Sequence, residues 1–211
     1  MGLSIHYYPG GSFGDSTTEG FSFLYNAISD LGRFTAVNGE SNSVSRVLSI
    51  IAINLVSISI ALYFSVIWRF FRKKKVTKWL SIFGSISGVI CSISYFALAY
   101  AAADTIYPIH KKLLTIFPVF FFISVLLYII VFFIEKEFPK INAYSFVALM
   151  LAVTALTITV IIGFVQGGEL DKTGRRAGNT LFNFIQIFVY GLQGIGAYIY
   201  IKRQSKKEIV G

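Results

Sequence analysis

Residues able to carry chemistry are scarce in this chain, and each shortage closes off a class of function. Of its 211 residues one is cysteine, Cys91, so there is no disulfide framework, no paired-thiol metal site and no redox motif. Alone within an apolar run, Cys91 reads as a small buried hydrophobe. There are two histidines and ten acidic residues, and no ionisable group falls deep inside an apolar run. That argues against a proton relay or an ion pump of the carboxylate type. Charged residues make up 14% of the chain against 55% hydrophobic ones, too little polar surface to cover a soluble core of this length. The opening MGLSIHYYPGG lacks the basic start and long apolar stretch of a signal peptide. MGLSIH also places His6 where a myristoylation site wants Ser or Thr.

What the chain does have is long apolar runs. Five stretches are free of charge: Val47 to Trp68, Trp79 to Ala103, Leu113 to Ile134, Ile141 to Gly168 and Ala177 to Ile201. Each exceeds the roughly 20 residues a helix needs to cross about 30 Å of hydrocarbon. None alternates polar with apolar residues, which excludes the spans of a β-barrel. The expected fold is an all-α integral membrane protein, a single membrane domain over 1–211 formed by an antiparallel bundle of five transmembrane helices. The spans are placed at about 44–69, 79–103, 113–134, 141–166 and 178–201, after an outer-side interfacial segment at 1–43 and before a tail at 202–211.

The formal charge of +9 is concentrated at one end. Arg69, Arg72, Lys73, Lys74, Lys75, Lys78, Lys136, Lys140, Lys202, Arg203, Lys206 and Lys207 face only Glu135, Glu137 and Glu208 there, while the charges of the opposite end cancel. A one-sided Lys/Arg excess predicts that this end, with the C-terminus, is cytoplasmic, leaving residues 1–43 outside. A cysteine at Ser205 would then be shielded in intact cells and one at Gly168 labelled. The stretch WRFFRKKKVTKW is read as this topology signal rather than as a lipid site. Membrane lipid is the expected partner; nothing points to nucleic acid, a cofactor or a confident metal site.

Inside the spans the clearest signals concern packing. GSISG places Gly84 and Gly88 one turn apart, with Ser81 and Ser92 on nearly the same stripe, a spacing that lets helices approach closely. It is not a serine-hydrolase elbow, because its central residue is Ile86. Ser49, Asn54, Ser57, Ser59 and Ser65 are expected to bond their own helix or a neighbour. In the last span Asn179, Asn183, Gln186, Tyr190 and Gln193 follow at steps of four and three, forming one helical stripe. Amides unpaired in hydrocarbon are costly, so this stripe faces either an interhelical hydrogen-bond seam or a polar, ligand-holding cavity.

Ahead of the first span, Ser16 and Glu19 have the spacing of a helix capping box, which Gly20 weakens. Phe21, Phe23, Leu24, Tyr25, Ile28 and Leu31 then make a short apolar piece suited to the interface or the bundle mouth. Gly32 ends it, and VNGESN is turn chemistry. HYYPGGS, FSFLYNAISDLGRFTAVNGESN and ADTIYPIHKK resemble the ordered signature of a family of small multi-pass prokaryotic membrane proteins defined by a domain of unknown function. The chain is more distantly similar to the Frag/DRAM/Sfk-like membrane family, whose outer segment carries a comparable Ile-Ser-Asp-x-Gly. The resemblance implies a bundle in the prokaryotic cytoplasmic membrane with a shared outer polar cluster, and no particular reaction. It also implies six helices if an N-terminal one is missing, since MGLSIHYY would supply only the last turns of that helix. The distant family is linked to lipid and glycolipid handling in general terms. Carried over by motif are Tyr8, Pro9 and Gly10; Asn26, Ser29, Asp30 and Gly32; Asn38 and Asn42; and Asp104 and His110.

Asp104 and His110 flank IYPI in a short link, and Asp30 and Arg33 reach the same level, so the three candidates for catalysis are Asp30, Asp104 and His110. Together they can hold a metal, or a His–Asp pair can act as general base on a lipid head group. The alternative has Asp30 and Asp104 capping backbone or pairing with Arg33, and His110 ending a helix. The wider cluster, for ligand or structure, comprises Asn26, Ser29, Asp30, Arg33, Asn38, Asn42, Asn183, Gln186, Tyr190 and Gln193. The expected function is an outer-facing polar pocket that engages lipid or a small amphiphile in a protein that is not an enzyme, or not demonstrably one. The alternative is an interfacial lipid-modifying enzyme with His110 as base, oriented by Asp104 or Asp30. A transporter is disfavoured by the missing buried charges and internal repeat.

Overall fold

Hydrocarbon leaves a crossing backbone no hydrogen-bond partner but itself, and the apolar runs accordingly become helices. In the computed structural model, which describes residues 1–166 and 169–210 without the side chains of 159–161, 163–173, 175 and 208–210, these are α2 (Ser43–Ile67), α3 (Lys75–Leu98), α4 (Tyr107–Ile134), α5 (Lys140–Gln166) and α6 (Glu169–Val210). All five are long and apolar enough to cross a membrane. Gly168, the end of the fourth apolar run and the intended outer label, lies outside the described residues. Consecutive helices run antiparallel and pack in order, α3 on α4 most extensively, while α2 also touches α6. Phe64, Phe71, Phe121, Tyr128, Phe132 and Phe146 are buried at the centre. Leu55, Leu62, Phe83, Ile93 and Phe188 point outward, the arrangement of a protein whose surroundings are lipid.

Helix ends differ from the apolar runs in one instructive place. The second run continues to Ala103, yet α3 stops at Leu98. The link then turns inward, with the Ala101 and Ile106 N–H groups donating to the Ala97 and Ala102 carbonyls. Ala99, Ala101 and Ala102 are all buried, so this connection sinks into the end of the bundle where larger side chains would not fit. The next helix, α4, begins at Tyr107, before the lysines, with Pro108 in its first turn, where the missing N–H has no acceptor to lose. Pro118 lies inside α4, and without an N–H it leaves the Leu114 carbonyl unmatched one turn back.

The two glycines of GSISG are both close-packed, but toward different neighbours. A Cβ on Gly84 would lie 2.9 Å from the Tyr128 ring of α4, and one on Gly88 would fall inside the Phe64 ring of α2. The Gly84 carbonyl also accepts the Ser124 hydroxyl at 2.8 Å. These glycines therefore make room for aromatic rings on either side of α3 rather than forming one backbone-to-backbone contact. Ser57, Ser59 and Ser65 return their hydroxyls to carbonyls four residues back, whereas Asn54 crosses to the Tyr100 hydroxyl at 2.7 Å.

The segment before α2 folds over one end of the bundle. A short helix α1 (Gly2–His6) packs on α2 through Ser4 and Ser45, each hydroxyl donating to the other's carbonyl at 2.8 Å. Strands β1 (Gly10–Ser12) and β2 (Asp15–Glu19) then pair antiparallel. The helix start suggested by Ser16 and Glu19 is thus a strand. Gly14, at φ 90°, reverses the chain just before it. The Asp15 carboxylate then accepts both the Thr17 N–H and the Thr17 hydroxyl, which draws its pKa below the usual carboxylate range. Phe21 to Leu31 yields only a 3₁₀ turn at Ile28–Gly32, whose Ile28 and Leu31 form a small second core with Tyr8 and Ala36. YPGG has a physical reason as well. Gly11, at φ 80°, lies so close to the Asn38 amide that any side chain would collide with it.

Gly88→Ala is expected to destabilise the purified protein by about 1–3 kcal/mol, the range for overpacking a tight core. Gly191→Ala, where a Cβ meets nothing within 4 Å, should leave the unfolding midpoint in detergent unchanged.

Candidate functional site

One carboxylate stands at the centre of the contact between the N-terminal segment and α6. Asp30 is buried, and its Oδ2 accepts the Ala27 N–H at 2.9 Å, the Asn26 amide at 3.3 Å and the Arg176 guanidinium of α6 at 3.1 Å. Asn26, fully buried, receives the Ser22 N–H on its Oδ1 and donates to the Gly11 carbonyl. Its own carbonyl accepts the Thr180 hydroxyl at 3.4 Å. Asn42, at the start of α2, donates to the carbonyls of Asp30, Leu31 and Arg33 and so closes off the end of the 3₁₀ turn. Asn38 accepts the Glu40 N–H within the following turn. Tyr8 accepts the Val37 N–H at 3.1 Å, and burial pushes the pKa of its phenol up, keeping it a neutral hydroxyl.

Under this roof lies a cavity of about 880 Å³ bounded by the N-terminal segment and by residues of all five long helices. Its walls are apolar, with Ile53, Leu98, Phe117, Phe121, Leu156 and Phe182 among them. Its polar contributors are Ser29, Asp30, Arg33, Ser49, Tyr95, His110, Thr157, Arg176, Asn179 and Asn183. The Phe13 ring at the hairpin tip sits 4.8 Å from the Arg176 guanidinium, placing it over the ion pair.

The candidate acids and base do not converge. Asp104 is exposed and accepts the N–H groups of Phe34 and Thr35 on one oxygen, at 2.9 and 3.1 Å, without lining the cavity. His110 is buried, lines the cavity, and has its Nδ1 2.5 Å from the Ala101 carbonyl. That contact calls for a proton on Nδ1, leaving Nε2 without a hydrogen bond among the described residues. Arg33 does not pair with Asp30; its Nε donates to the Thr35 carbonyl, and Arg176 holds the carboxylate instead. Among the described residues no group of three or more His, Cys, Asp or Glu side chains is placed to hold a metal ion.

Beyond the cavity floor the α6 stripe divides. Asn183 accepts the Tyr95 hydroxyl of α3 at 2.7 Å. Gln193 accepts from Tyr63 and Asn142 and donates to the Asn142 carbonyl and the Ser145 hydroxyl, joining α2, α5 and α6. A Cβ on Gly196 would collide with the Asn142 side chain, so α5 and α6 meet closely there. The Gln186 amide and the Tyr190 hydroxyl, between those two contacts, are buried with no hydrogen-bond partner among the described residues. Sequence reasoning missed Arg176, Ser49, Tyr95 and Asn142 as members of the site. Arg176 alone carried a signal, as a cation at the same end of the bundle as Asp30; the others are ordinary residues until the helices pack.

A model of the Frag1/DRAM/Sfk1/Cwh43P N-terminal domain matches residues 27–195. The chain belongs to that family. The match begins at Ala27, so the YPGG hairpin precedes the family domain, while Asp30, Ser49, His110, Arg176 and the α6 stripe lie within it. No curated protein and no solved structure matches the chain significantly.

Asp30→Ala leaves a largely buried guanidinium without its carboxylate and is expected to lower stability by about 3 kcal/mol. Asp104→Ala, which removes a cap from two backbone groups, should lower it by only about 1 kcal/mol. Unfolding of both variants in the same detergent checks the ranking.

Proposed function

We propose that this Frag1-family protein binds a membrane amphiphile in the cavity, its apolar part against Phe117, Phe121 and Phe182 and its polar head beneath the Asp30–Arg176 pair. The observation that supports this most is the polarity gradient of one cavity: aromatic and aliphatic walls, with the charged and hydrogen-bonding groups gathered beside the N-terminal segment. A volume of about 880 Å³ is within the usual range for small-molecule sites. Ser49 supports the reading independently, since its hydroxyl is fully buried at the cavity wall and has no hydrogen-bond partner among the described residues. A bound head group would supply one, and buried polar groups are rarely left unpaired. In this reading the cavity mouth opens on the outer face of the membrane and the basic end lies in the cytoplasm, the orientation expected from the charge asymmetry.

A second reading, an interfacial enzyme acting on lipid, draws on His110, whose Nδ1 is anchored by a carbonyl while Nε2 is free at the cavity wall. Neither Asp30 nor Asp104 orients this imidazole, so binding without turnover is the better reading.

In intact cells, with Cys91 buried, Ser16→Cys in the exposed hairpin should react with an impermeant thiol reagent and Ser205→Cys should not. The reverse pattern would invert the orientation. Native mass spectrometry of the detergent-solubilised protein should show co-purified lipid that Leu98→Trp displaces without lowering the unfolding midpoint. Loss of a lipid product on His110→Ala, with lipid still bound, would favour the enzyme.

A further inference from the structure

Among the described residues, the charged groups that line the cavity do not balance. Asp30 is matched by Arg176 at 3.1 Å. Arg33 lines the same cavity, gives its Nε to the Thr35 carbonyl at 3.1 Å, and forms no ion pair among the described residues. The acidic side chain nearest this turn by contact, Asp104, has its Oδ2 committed to the backbone of Phe34 and Thr35. Donors are in surplus too. The remaining guanidinium nitrogens of Arg33 and the Ser49 hydroxyl lack protein partners among the described residues, while the Asp30 Oδ2 is already shared by three donors.

We infer that the amphiphile is a glycerophospholipid whose head group has a net negative charge, its phosphodiester lying between Arg33 and Ser49. This rests on the reading of the cavity as an amphiphile site and adds its selectivity. A phosphodiester brings several strong acceptor oxygens and one negative charge, the complement of a forked guanidinium beside a neutral hydroxyl. A zwitterionic head would bring an ammonium toward a guanidinium that has no carboxylate to offset it. Diacylglycerol would leave that guanidinium desolvated and unpaired, which is unfavourable in a partly buried setting. The aromatic walls select the lipid over a free phosphate ester, because only the chains can fill them.

The test uses the full chain in proteoliposomes doped with photoactivatable phosphatidylglycerol, phosphatidylcholine or diacylglycerol, each carrying a diazirine on the same acyl chain, followed by peptide mapping. Phosphatidylglycerol should label the cavity segments of α3 and α4 about tenfold more than either other lipid, the scale of one charge-assisted hydrogen bond. Arg33→Gln should remove that preference and Arg33→Lys keep most of it, with labelling near Phe70 at the basic end unchanged in both. Equal cavity labelling by phosphatidylglycerol and phosphatidylcholine would overturn the selectivity and leave the amphiphile site standing. A preference unchanged in Arg33→Gln would also overturn it. Displacement by excess glycerol phosphate would overturn the assignment to a lipid. Absence of cavity labelling by all three probes would overturn the amphiphile site itself.

Discussion

The Asp30 carboxylate determines how the N-terminal segment meets the helices. Through Ala27 it shapes the 3₁₀ turn, through Asn26 it ties that turn to the glycine hairpin, and through Arg176 it attaches both to α6. A buried ion pair of this kind does not have to be strongly stabilising to be decisive, because what it excludes is either charge left alone. Asn42 and Asp104 complete the fastening by binding the backbone on either side of Arg33. A segment with little regular structure is thereby held as a roof.

Beneath that roof the bundle changes character along its length. Toward the basic end Phe71, Tyr128, Phe132 and Phe138 fill the interior, and Gly84 and Gly88 give the rings of Tyr128 and Phe64 the space they need. Toward the roof the link Ala99–Ala103 offers small side chains, and Pro118 breaks the ladder of α4. The alanines of this link line the cavity together with the Phe117, Phe121 and Phe182 rings. The α6 stripe runs between the two regions, fastened at Asn183 and Gln193 and unpaired at Gln186 and Tyr190.

A head group in this cavity would contact residues from several parts of the chain. Arg33 comes from the roof, Ser49 from α2, His110 from α4 and Arg176 from α6. Binding at such a junction makes affinity depend on the docking of the N-terminal segment, since Arg33 reaches the site only while Asp30 holds the turn in place.

The chain's sequence by itself determined the class and the helices. Apolar runs of membrane length have one way to satisfy their backbone in hydrocarbon, and that constraint is local, so the existence and order of the helices α2 to α6 could be read from it. Their ends were less legible: Ala99–Ala103 is apolar enough for a span but turns inward, because burial there depends on what lies opposite. Asp30 and His110 stood out as ionisable groups near a bundle mouth, and Asn183 and Gln193 as amides on one helical face. The choice of Arg176 over Arg33 as the partner of Asp30, the separation of Asp104 from His110 and the recruitment of Ser49, Tyr95 and Asn142 were decided only by tertiary structure. The physical reason is that these contacts cross between helices, and their partners are set by rotation and depth in the bundle, quantities that no spacing along one strand of sequence contains.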